Sequence, residues 1–391
     1  MKTYHSRFTL SALTLAMMSL PVAAAEQDTQ SLEDMQQRMD AMEARFEQQL
    51  NALADELEAS RSQSSGKDVH FGGYGEMHYR HLDDNGEDVR ELDFHRWVLF
   101  IGYDFSERMR LVSEFELEHA ISPGSEGNGA VELEQAYIEY DLTSNMQLRS
   151  GIMLTPVGII NETHEPPTFY GVERPVIETT IIPTTWYVGG VMFSHQLGGG
   201  ISYDIMLSEG LKTDETEPFD LKGGKQKTSF ADTFDLATTV RVNYRGIPGL
   251  ELSGYAQYQP DLDQSARESY AESATLIGGH VIYQLGNVTT KALYARWDVS
   301  GDAAALAEQD VQEGGYVEVS YRPGDTWGVF ARHSGWTQTT DLKATQVDFG
   351  VSYFPHPDVV LKADYQIQNE DANDPDSLDG DGFNLGIGYQ F

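Results

Sequence analysis

The chain has 391 residues, no cysteine and a formal net charge of -36, from 62 acidic and 26 basic side chains. The acidic balance argues against nucleic acid as a partner, and the absence of cysteine excludes disulfide bonds, thiol catalysis and thiolate metal sites. After the first residues, no apolar run reaches the roughly 18 residues of a membrane-spanning helix. A transmembrane barrel would also lack such a run, because its strands are apolar only at alternate positions.

The first 25 residues have the pattern of an export signal peptide. Lys2 and Arg7 precede an apolar run from Phe8 to Leu20, and Ala23-Ala24-Ala25 follows as an A-x-A cleavage pattern. A buried helix is the alternative, but it leaves the run of small residues unexplained. We therefore expect an exported chain whose mature form begins near Glu26.

Residues 26–59 are predicted to form a periplasmic coiled-coil helix. Apolar residues recur there at alternating three- and four-residue steps, the spacing of a coiled-coil seam; they are Leu32, Met35, Met39, Met42, Phe46 and Leu53. A lone amphipathic helix is the alternative, and a tether to periplasmic partners is a function that such a segment would allow. The serine-rich residues 60–68 are predicted to be a flexible linker.

From Val69 onward the apolar residues recur with a period of two, which predicts strands. The last ten residues are an example, because Phe383, Leu385, Ile387 and Tyr389 alternate with small or polar residues. The predicted fold class for residues 69–391 is all-β, a sixteen-stranded antiparallel transmembrane β-barrel. Its strands are expected near 69–80, 91–104, 108–119, 131–141, 145–154, 186–196, 199–208, 233–245, 249–258, 273–285, 288–299, 312–322, 325–334, 344–354, 358–368 and 382–391.

The connections between these strands alternate between tight turns, such as Gly286-Asn287, and longer, mostly acidic segments. This rhythm is typical of barrels with periplasmic turns and external loops, and a soluble sandwich gives no reason for it. We therefore predict a multi-pass barrel in the outer membrane of a Gram-negative cell, surrounded by the lipid bilayer and lipopolysaccharide. The terminal Phe391 is similar to the ending of barrels that the cell's barrel-assembly machinery inserts.

The longest connection, residues 155–185, contains five prolines and many apolar side chains. In a solvated external loop so many apolar side chains would be exposed to water. We therefore expect residues 155–185 to fold inward and narrow the lumen; an external cap is the alternative. Together with the preceding strand end RSGIML, the stretch Thr155 to Trp186 (TPVGIINETHEPPTFYGVERPVIETTIIPTTW) resembles the corresponding segment of the phosphate-selective porin O and P family. The resemblance implies a homotrimeric porin in which this loop enters the lumen.

Strand parity places both signs of charge on the lumen side, with acids in excess. The family's phosphate selectivity rests on lumen arginines and a lysine cluster, and no lysine cluster is visible here, so we expect passive diffusion of small hydrophilic solutes or ions. A selective anion channel, for phosphate or dicarboxylates, is the alternative. The expected constriction combines the wall arginines with charged residues of the loop; the candidates are Arg110, Arg149, Arg241, Glu162, Glu165, Glu173, Arg174 and Glu178.

These candidates predict a transverse field across the lumen, with basic wall residues facing loop carboxylates. Local salt bridges that pin the loop to the wall are the alternative interpretation.

Metal and catalytic motifs are weak in this sequence. The acidic stretches 371–382 and 83–88 space their oxygen ligands like a calcium loop, but no bidentate glutamate follows, so no metal or other cofactor is predicted. Ser194 and His195 are adjacent on a predicted strand and point to opposite faces, and neither G-x-S-x-G nor H-E-x-x-H occurs. We predict that the protein is not an enzyme.

Overall fold

The computed structural model describes residues 69–84, 87–120, 129–264, 272–339, 342–369 and 380–391. The predicted signal peptide (1–25), coiled-coil helix (26–59) and linker (60–68) lie outside the described residues. Most of the acidic stretch 371–382 also lies outside them.

Antiparallel strands form one closed sheet in chain order, in which β1 pairs with β2 on one side and with β16 on the other. The predicted sixteen-stranded barrel is therefore confirmed. The strands are β1 Val69–Asp84, β2 Glu87–Ser106, β3 Met109–Glu118, β4 Val131–Thr143, β5 Met146–Leu154, β6 Tyr187–Gly198, β7 Ile201–Glu209, β8 Leu236–Ile247, β9 Leu250–Gln259, β10 Ala274–Leu285, β11 Val288–Val299, β12 Val311–Tyr321, β13 Trp327–Thr339, β14 Leu342–His356, β15 Val359–Asn369 and β16 Gly380–Gln390.

The clearest differences from the predicted boundaries lie where β1 meets β2 and where β13 meets β14. β1 continues to Asp84 and β2 begins at Glu87, while β13 continues to Thr339 and β14 begins at Leu342. Several of the added pairs are polar, as where Asp83 stands opposite Asp88. Apolar alternation follows the part of a strand that faces hydrocarbon, whereas main-chain pairing continues beyond it.

Main-chain hydrogen bonds at the end of the chain help to close the barrel. Tyr74 stands opposite Gln390 in the register of β1 and β16. Beyond that pair, Gly73 N donates to Phe391 O and Phe391 N donates to Gly73 O, each at 2.9 Å. We call the end that holds Val69 and these contacts the turn end, because the connections after the even-numbered strands, all of them short, lie there. The opposite end is the loop end.

The two faces of the barrel wall reverse the arrangement of a soluble protein. On β13, Val329 and Ala331 are exposed, whereas Arg332 and Ser334 on the alternate positions that follow are buried. The same pattern places large apolar side chains on the outside around the barrel; they include Val191, Ile205, Val242, Ile277, Val317 and Phe349. An apolar exterior with a charged interior is the arrangement that a barrel needs in a lipid bilayer.

Among the described residues, helical structure is confined to the connections. The long connection after β5 contains a 3₁₀ turn, Pro166–Thr168, and a one-turn helix, Ile177–Thr180, and the connection after β11 contains the helix Asp302–Leu306. Within the described ranges, no helix has the length and apolar character needed to cross a membrane.

Deleting Phe391 tests the closure. Loss of its two hydrogen bonds to Gly73, each worth about 1 kcal/mol net, should lower the free energy of unfolding by about 2 kcal/mol. Urea unfolding of the barrel in lipid vesicles measures this change. The variant Phe391→Ala keeps the main-chain bonds and loses a largely exposed ring, so its unfolding midpoint should stay closer to that of the natural chain. Equal midpoints for the deletion and the natural chain would contradict the prediction.

Candidate functional site

Residues 155–186, here named loop 3, lie inside the barrel. Trp297 Nε1 on β11 donates to Ile181 O at 3.0 Å, and Lys362 Nζ on β15 donates to Gly171 O at 2.7 Å. Arg241 on β8 pairs with Glu162 of the loop. Because β8, β11 and β15 lie far apart around the sheet, loop 3 spans the lumen and contacts several parts of its wall.

Apolar packing explains why this loop enters the lumen. Its apolar side chains are buried against the wall; they include Val157, Ile160, Phe169, Val172, Ile177, Ile181 and Ile182. The wall carries glycine where the approach is closest, since a Cβ at Gly388 would lie 2.2 Å from Pro166 Cβ. Removing these side chains from water stabilises the inward position by roughly 25 cal/mol for each Å² buried.

Glu178 organises loop 3 from within. Its side chain is fully buried, and its Oε2 accepts hydrogen bonds from Ile159 N at 2.7 Å and Ile160 N at 2.6 Å. Its Oε1 accepts a hydrogen bond from Tyr316 OH on β12 at 2.7 Å. The sequence suggested a carboxylate facing the pore, whereas this carboxylate satisfies loop amides and joins the loop to the wall.

A buried histidine joins the loop to the opposite part of the wall. His164 Nε2 lies 3.4 Å from Glu114 Oε1 and 3.5 Å from Glu134 Oε2, and Arg96 donates to His164 O at 3.2 Å. Burial by itself lowers the pKa of His164, but the two carboxylates outweigh burial and raise the pKa to about 9. The imidazolium is therefore charged at neutral pH and offsets part of the buried negative charge.

The predicted wall arginines have different partners. Arg110 and Arg149 both bind Glu139 of the wall, and Arg149 NH2 also donates to Gln147 Oε1 at 2.9 Å. Arg241 is the candidate that reaches the loop, because it bridges Asp204 of β7 and Glu162.

The remaining loop candidates lie at separate points. Glu173 Oε1 is 3.0 Å from His78 Nδ1 on β1, and Arg174 NH1 donates to Thr185 Oγ1 at 2.9 Å. Glu165 precedes the 3₁₀ turn, where its carbonyl accepts a hydrogen bond from Thr168 N at 2.9 Å. Glu173 and Arg174 line the cavity described next.

A cavity of about 400 Å³ lies beside loop 3 and has an acidic and a basic side. The acidic side is the wall, where β3 and β4 contribute Glu116, Glu118, Glu132 and Glu134. The basic side consists of the basic residues that loops contribute, Arg174, Lys222, Lys225 and Lys227; Arg80 and Arg96 of the wall and Glu173 of loop 3 also line the cavity. The three lysines belong to residues 210–235, here named loop 4, which connects β7 to β8.

Loop 4 reaches both loop 3 and the acidic wall. Lys225 Nζ donates to Thr185 O at 3.1 Å, and Lys227 pairs with Glu132. Burial, together with the charges of Lys227 and Lys222, lowers the pKa of Lys225 to about 8. The basic side of the cavity is thus held in place by contacts with loop 3 and with β4.

The predicted transverse field had basic wall residues facing loop carboxylates, whereas in this cavity the loops also contribute four basic residues and the wall contributes five carboxylates. Of the loop carboxylates, Glu178 is buried and Glu162 is paired, and Arg110 and Arg149 are bound to a wall carboxylate. Parity assigns a strand residue to a face but does not give its height, its partner or the path of a loop. Strand alternation assigns no face to the cluster Lys222, Lys225 and Lys227, because these lysines lie in a connection. The sequence feature that could have indicated the cluster is the stretch LKGGKQK.

Ser194 and His195 have separate partners, as their adjacent positions on a strand require. Ser194 Oγ donates to Asp204 Oδ1 at 2.6 Å, and His195 Nδ1 lies 3.2 Å from Tyr203 OH. The expectation that the protein is not an enzyme stays a prediction.

No protein-family model matches the chain. The outer membrane channel DcaP of Acinetobacter baumannii has a similar structure, with a TM-score of 0.56 and 14% identity, covering 84% of this chain and 98% of that one. OmpF of Salmonella typhi gives a TM-score of 0.56 and 14% identity over 83% of this chain and 98% of its own, and OmpT of Vibrio cholerae gives 0.55 and 11% over 84% and 99%.

These likenesses show a common fold, so the class of this protein is the closed barrel found in outer-membrane channels. An uncharacterised protein of Aquifex aeolicus (strain VF5) is 32% identical over 375 residues, which cover 85% of this chain and 82% of that protein. The chain belongs to the same family as that Aquifex protein.

Substituting Glu178 tests how loop 3 is held. Glu178→Ala leaves the buried Ile159 and Ile160 amides without their acceptor, at a cost of about 1–3 kcal/mol. Hydrogen–deuterium exchange of residues 157–163 should accelerate about fivefold or more, because about 1.4 kcal/mol corresponds to a factor of ten.

The matched control is Glu165→Ala in the same loop. Its hydrogen bond to Thr168 uses the main-chain carbonyl, so the exchange of residues 157–163 should stay near that of the natural chain. Equal exchange in the two variants would show that Glu178 does not hold the loop.

Proposed function

We propose that this protein is an outer-membrane porin, a passive diffusion channel for small hydrophilic solutes and ions in a Gram-negative cell. The observation that carries the proposal is the combination of a closed, outwardly apolar barrel with a lumen that loop 3 spans and charged side chains line. Burying so many charged side chains away from water would cost free energy, so water is expected to fill the lumen. A water-filled lumen that crosses a membrane conducts ions and small solutes.

Loop 3 is proposed to form the constriction. Its contacts with Arg241, Trp297, Tyr316 and Lys362 hold it across the lumen. Solutes would then pass between the acidic wall and the basic arm formed by Arg174 and the loop 4 lysines. Opposed charges across a narrow passage produce a transverse field that orients polar solutes.

Membership of the phosphate-selective porin O and P family and a homotrimeric assembly are parts of this proposal. The segment Thr155 to Trp186 supports the first. A trimer form is described for the structurally similar OmpT of Vibrio cholerae, which supports the second.

A selective anion channel is the second candidate, and the basic arm favours it. Lys222, Lys225 and Lys227 lie within six residues of one another in the sequence and line one cavity with Arg174. Anionic groups such as phosphate or carboxylate bind where several ammonium and guanidinium groups converge. The acidic wall opposite them favours cations, so the sign of ion selectivity distinguishes the two candidates.

Reversal potentials in planar bilayers under a potassium chloride gradient measure that sign. For the general porin we expect a weak cation preference, and Lys222→Gln, Lys225→Gln and Lys227→Gln together should strengthen it. A unit charge about 10 Å from an ion is worth roughly 0.4 kcal/mol in water, a twofold effect on the local ion concentration. The triple variant should therefore raise the cation-to-anion permeability ratio at least about twofold at low salt.

Lys212→Gln is the control, because Lys212 belongs to loop 4, pairs with Asp232 and does not line the cavity. It should leave the ratio nearly unchanged. Anion preference in the natural chain that the triple variant abolishes would instead support the selective anion channel. Channels that never open would contradict both candidates.

Selectivity should also depend on pH through Lys225. With a pKa of about 8, its ammonium group is mostly charged at pH 7 and mostly neutral at pH 9. Cation preference should therefore increase between these pH values, and Lys225→Gln should reduce the increase. Reversal potentials at pH 7 and pH 9 measure it, and an identical increase in the variant would exclude Lys225 as the titrating group.

A further inference from the structure

We propose that Asp93, His95 and His119, here named the imidazole site, bind a divalent transition-metal ion such as Zn²⁺ at the loop end of the lumen. This proposal does not depend on ion conduction, because it concerns a binding site on the barrel wall.

The three side chains converge on one point. Asp93 Oδ2 lies 3.1 Å from His95 Nδ1 and 2.9 Å from His119 Nδ1. One ligand atom from each residue lies within 4.8 Å of the other two. Ligands around a tetrahedral ion at about 2.1 Å are separated by roughly 3.4 Å, so an expansion of a few tenths of an ångström would accommodate the ion.

A bulge in β2 turns His95 toward this point. Glu76 of β1 pairs with Arg96, but His78 pairs with Asp93, so two residues of β2 stand opposite Met77 alone. In a regular strand the neighbour of the inward Arg96 would face outward. The extra residue instead brings the His95 ring into the lumen, where it stacks on His78 with ring centroids 4.8 Å apart.

The end of β3 brings the second imidazole to the same place. His119 follows the last residue of β3 with a φ of 53°, in the left-handed region, and its N donates to His95 O at 3.1 Å. Its ring lies edge-on to that of His95, with centroids 5.5 Å apart. Two backbone irregularities on different strands thus place two imidazoles beside one carboxylate, and such irregularities concentrate at functional positions.

The surroundings favour a cation and allow it to enter. The three side chains line a cavity of about 500 Å³ together with Glu91, Glu173, His78 and Arg80, and Arg80 is paired with Glu91. Each of the three side chains is between one-third and about two-fifths exposed. Next to them, His78 is fixed by Glu76 at 3.1 Å and by Glu173 at 3.0 Å. Water would complete the coordination.

The ligand set selects the class of ion. Two imidazole nitrogens and one carboxylate oxygen suit Zn²⁺, Co²⁺, Ni²⁺ or Cu²⁺, whereas Ca²⁺ and Mg²⁺ prefer oxygen ligands alone. A second cluster of Glu114, Glu134 and His164 is fully buried; its histidine already offsets two carboxylates and joins loop 3 to the wall.

Isothermal titration of the full-length protein in detergent with Zn²⁺ tests the proposal. We expect one site per chain that excess Mg²⁺ does not occupy. His95→Ala or His119→Ala should weaken binding at least about tenfold, since even indirect partners of metal ligands cost about 10–100-fold. Co²⁺ as a second probe should give visible absorption bands that these variants lose, and circular dichroism confirms that each variant is folded.

His70→Ala is the matched control, because His70 Nε2 lies 2.8 Å from Asp104 at the turn end, a single imidazole beside one carboxylate. It should leave Zn²⁺ binding unchanged. Absence of binding, or binding that His164→Gln abolishes and His95→Ala does not, would overturn the proposal. Titration detects binding in a barrel that does not conduct, so failure of this proposal and failure of the porin proposal give different results.

Discussion

Main-chain hydrogen bonds between β1 and β16 close the sheet, from Tyr74 opposite Gln390 to Asp84 opposite Gly380. Closure fixes which face of every strand points inward, because strands that pair in register share their alternation. The outward face then carries exposed apolar side chains around the barrel. The inward face carries acidic and basic side chains that a hydrophobic core could not hold. The lumen is therefore polar because the register of the paired strands turns these residues inward.

Loop 3 depends on that enclosed polar surface and on gaps in it. The loop packs its apolar side chains where the wall carries glycine, as at Gly388 against Pro166. Its polar groups meet polar and charged residues of the wall, such as Tyr316 and Lys362. Burying Glu178 is tolerable only because three donors satisfy it. Position and path of the loop are therefore set jointly by the wall and by the loop's own hydrogen bonds.

The strand pattern could be predicted from the sequence, because alternation and turn chemistry are local properties. The inward position of loop 3 was also expected from its apolar content. The partners of its charges were not, because Arg110 and Glu139 are separated by 29 residues in sequence and only the register joins them. The lysines of loop 4 were overlooked for a related reason, since nothing local indicates that the stretch LKGGKQK approaches β4.

The charge of the whole chain is a poor guide to the charge that a solute would meet. The excess of acids is large, yet lumen acids such as Glu76, Glu139 and Asp204 bind arginines of the wall. The cavity beside loop 3 is lined by six carboxylates, five from the wall and one from loop 3, and by six arginines and lysines, of which two loops supply four and the wall supplies two. Local pairing thus cancels most of the excess of acidic residues at this point. The field in the cavity then depends more on how the remaining charges are separated across it than on their sum.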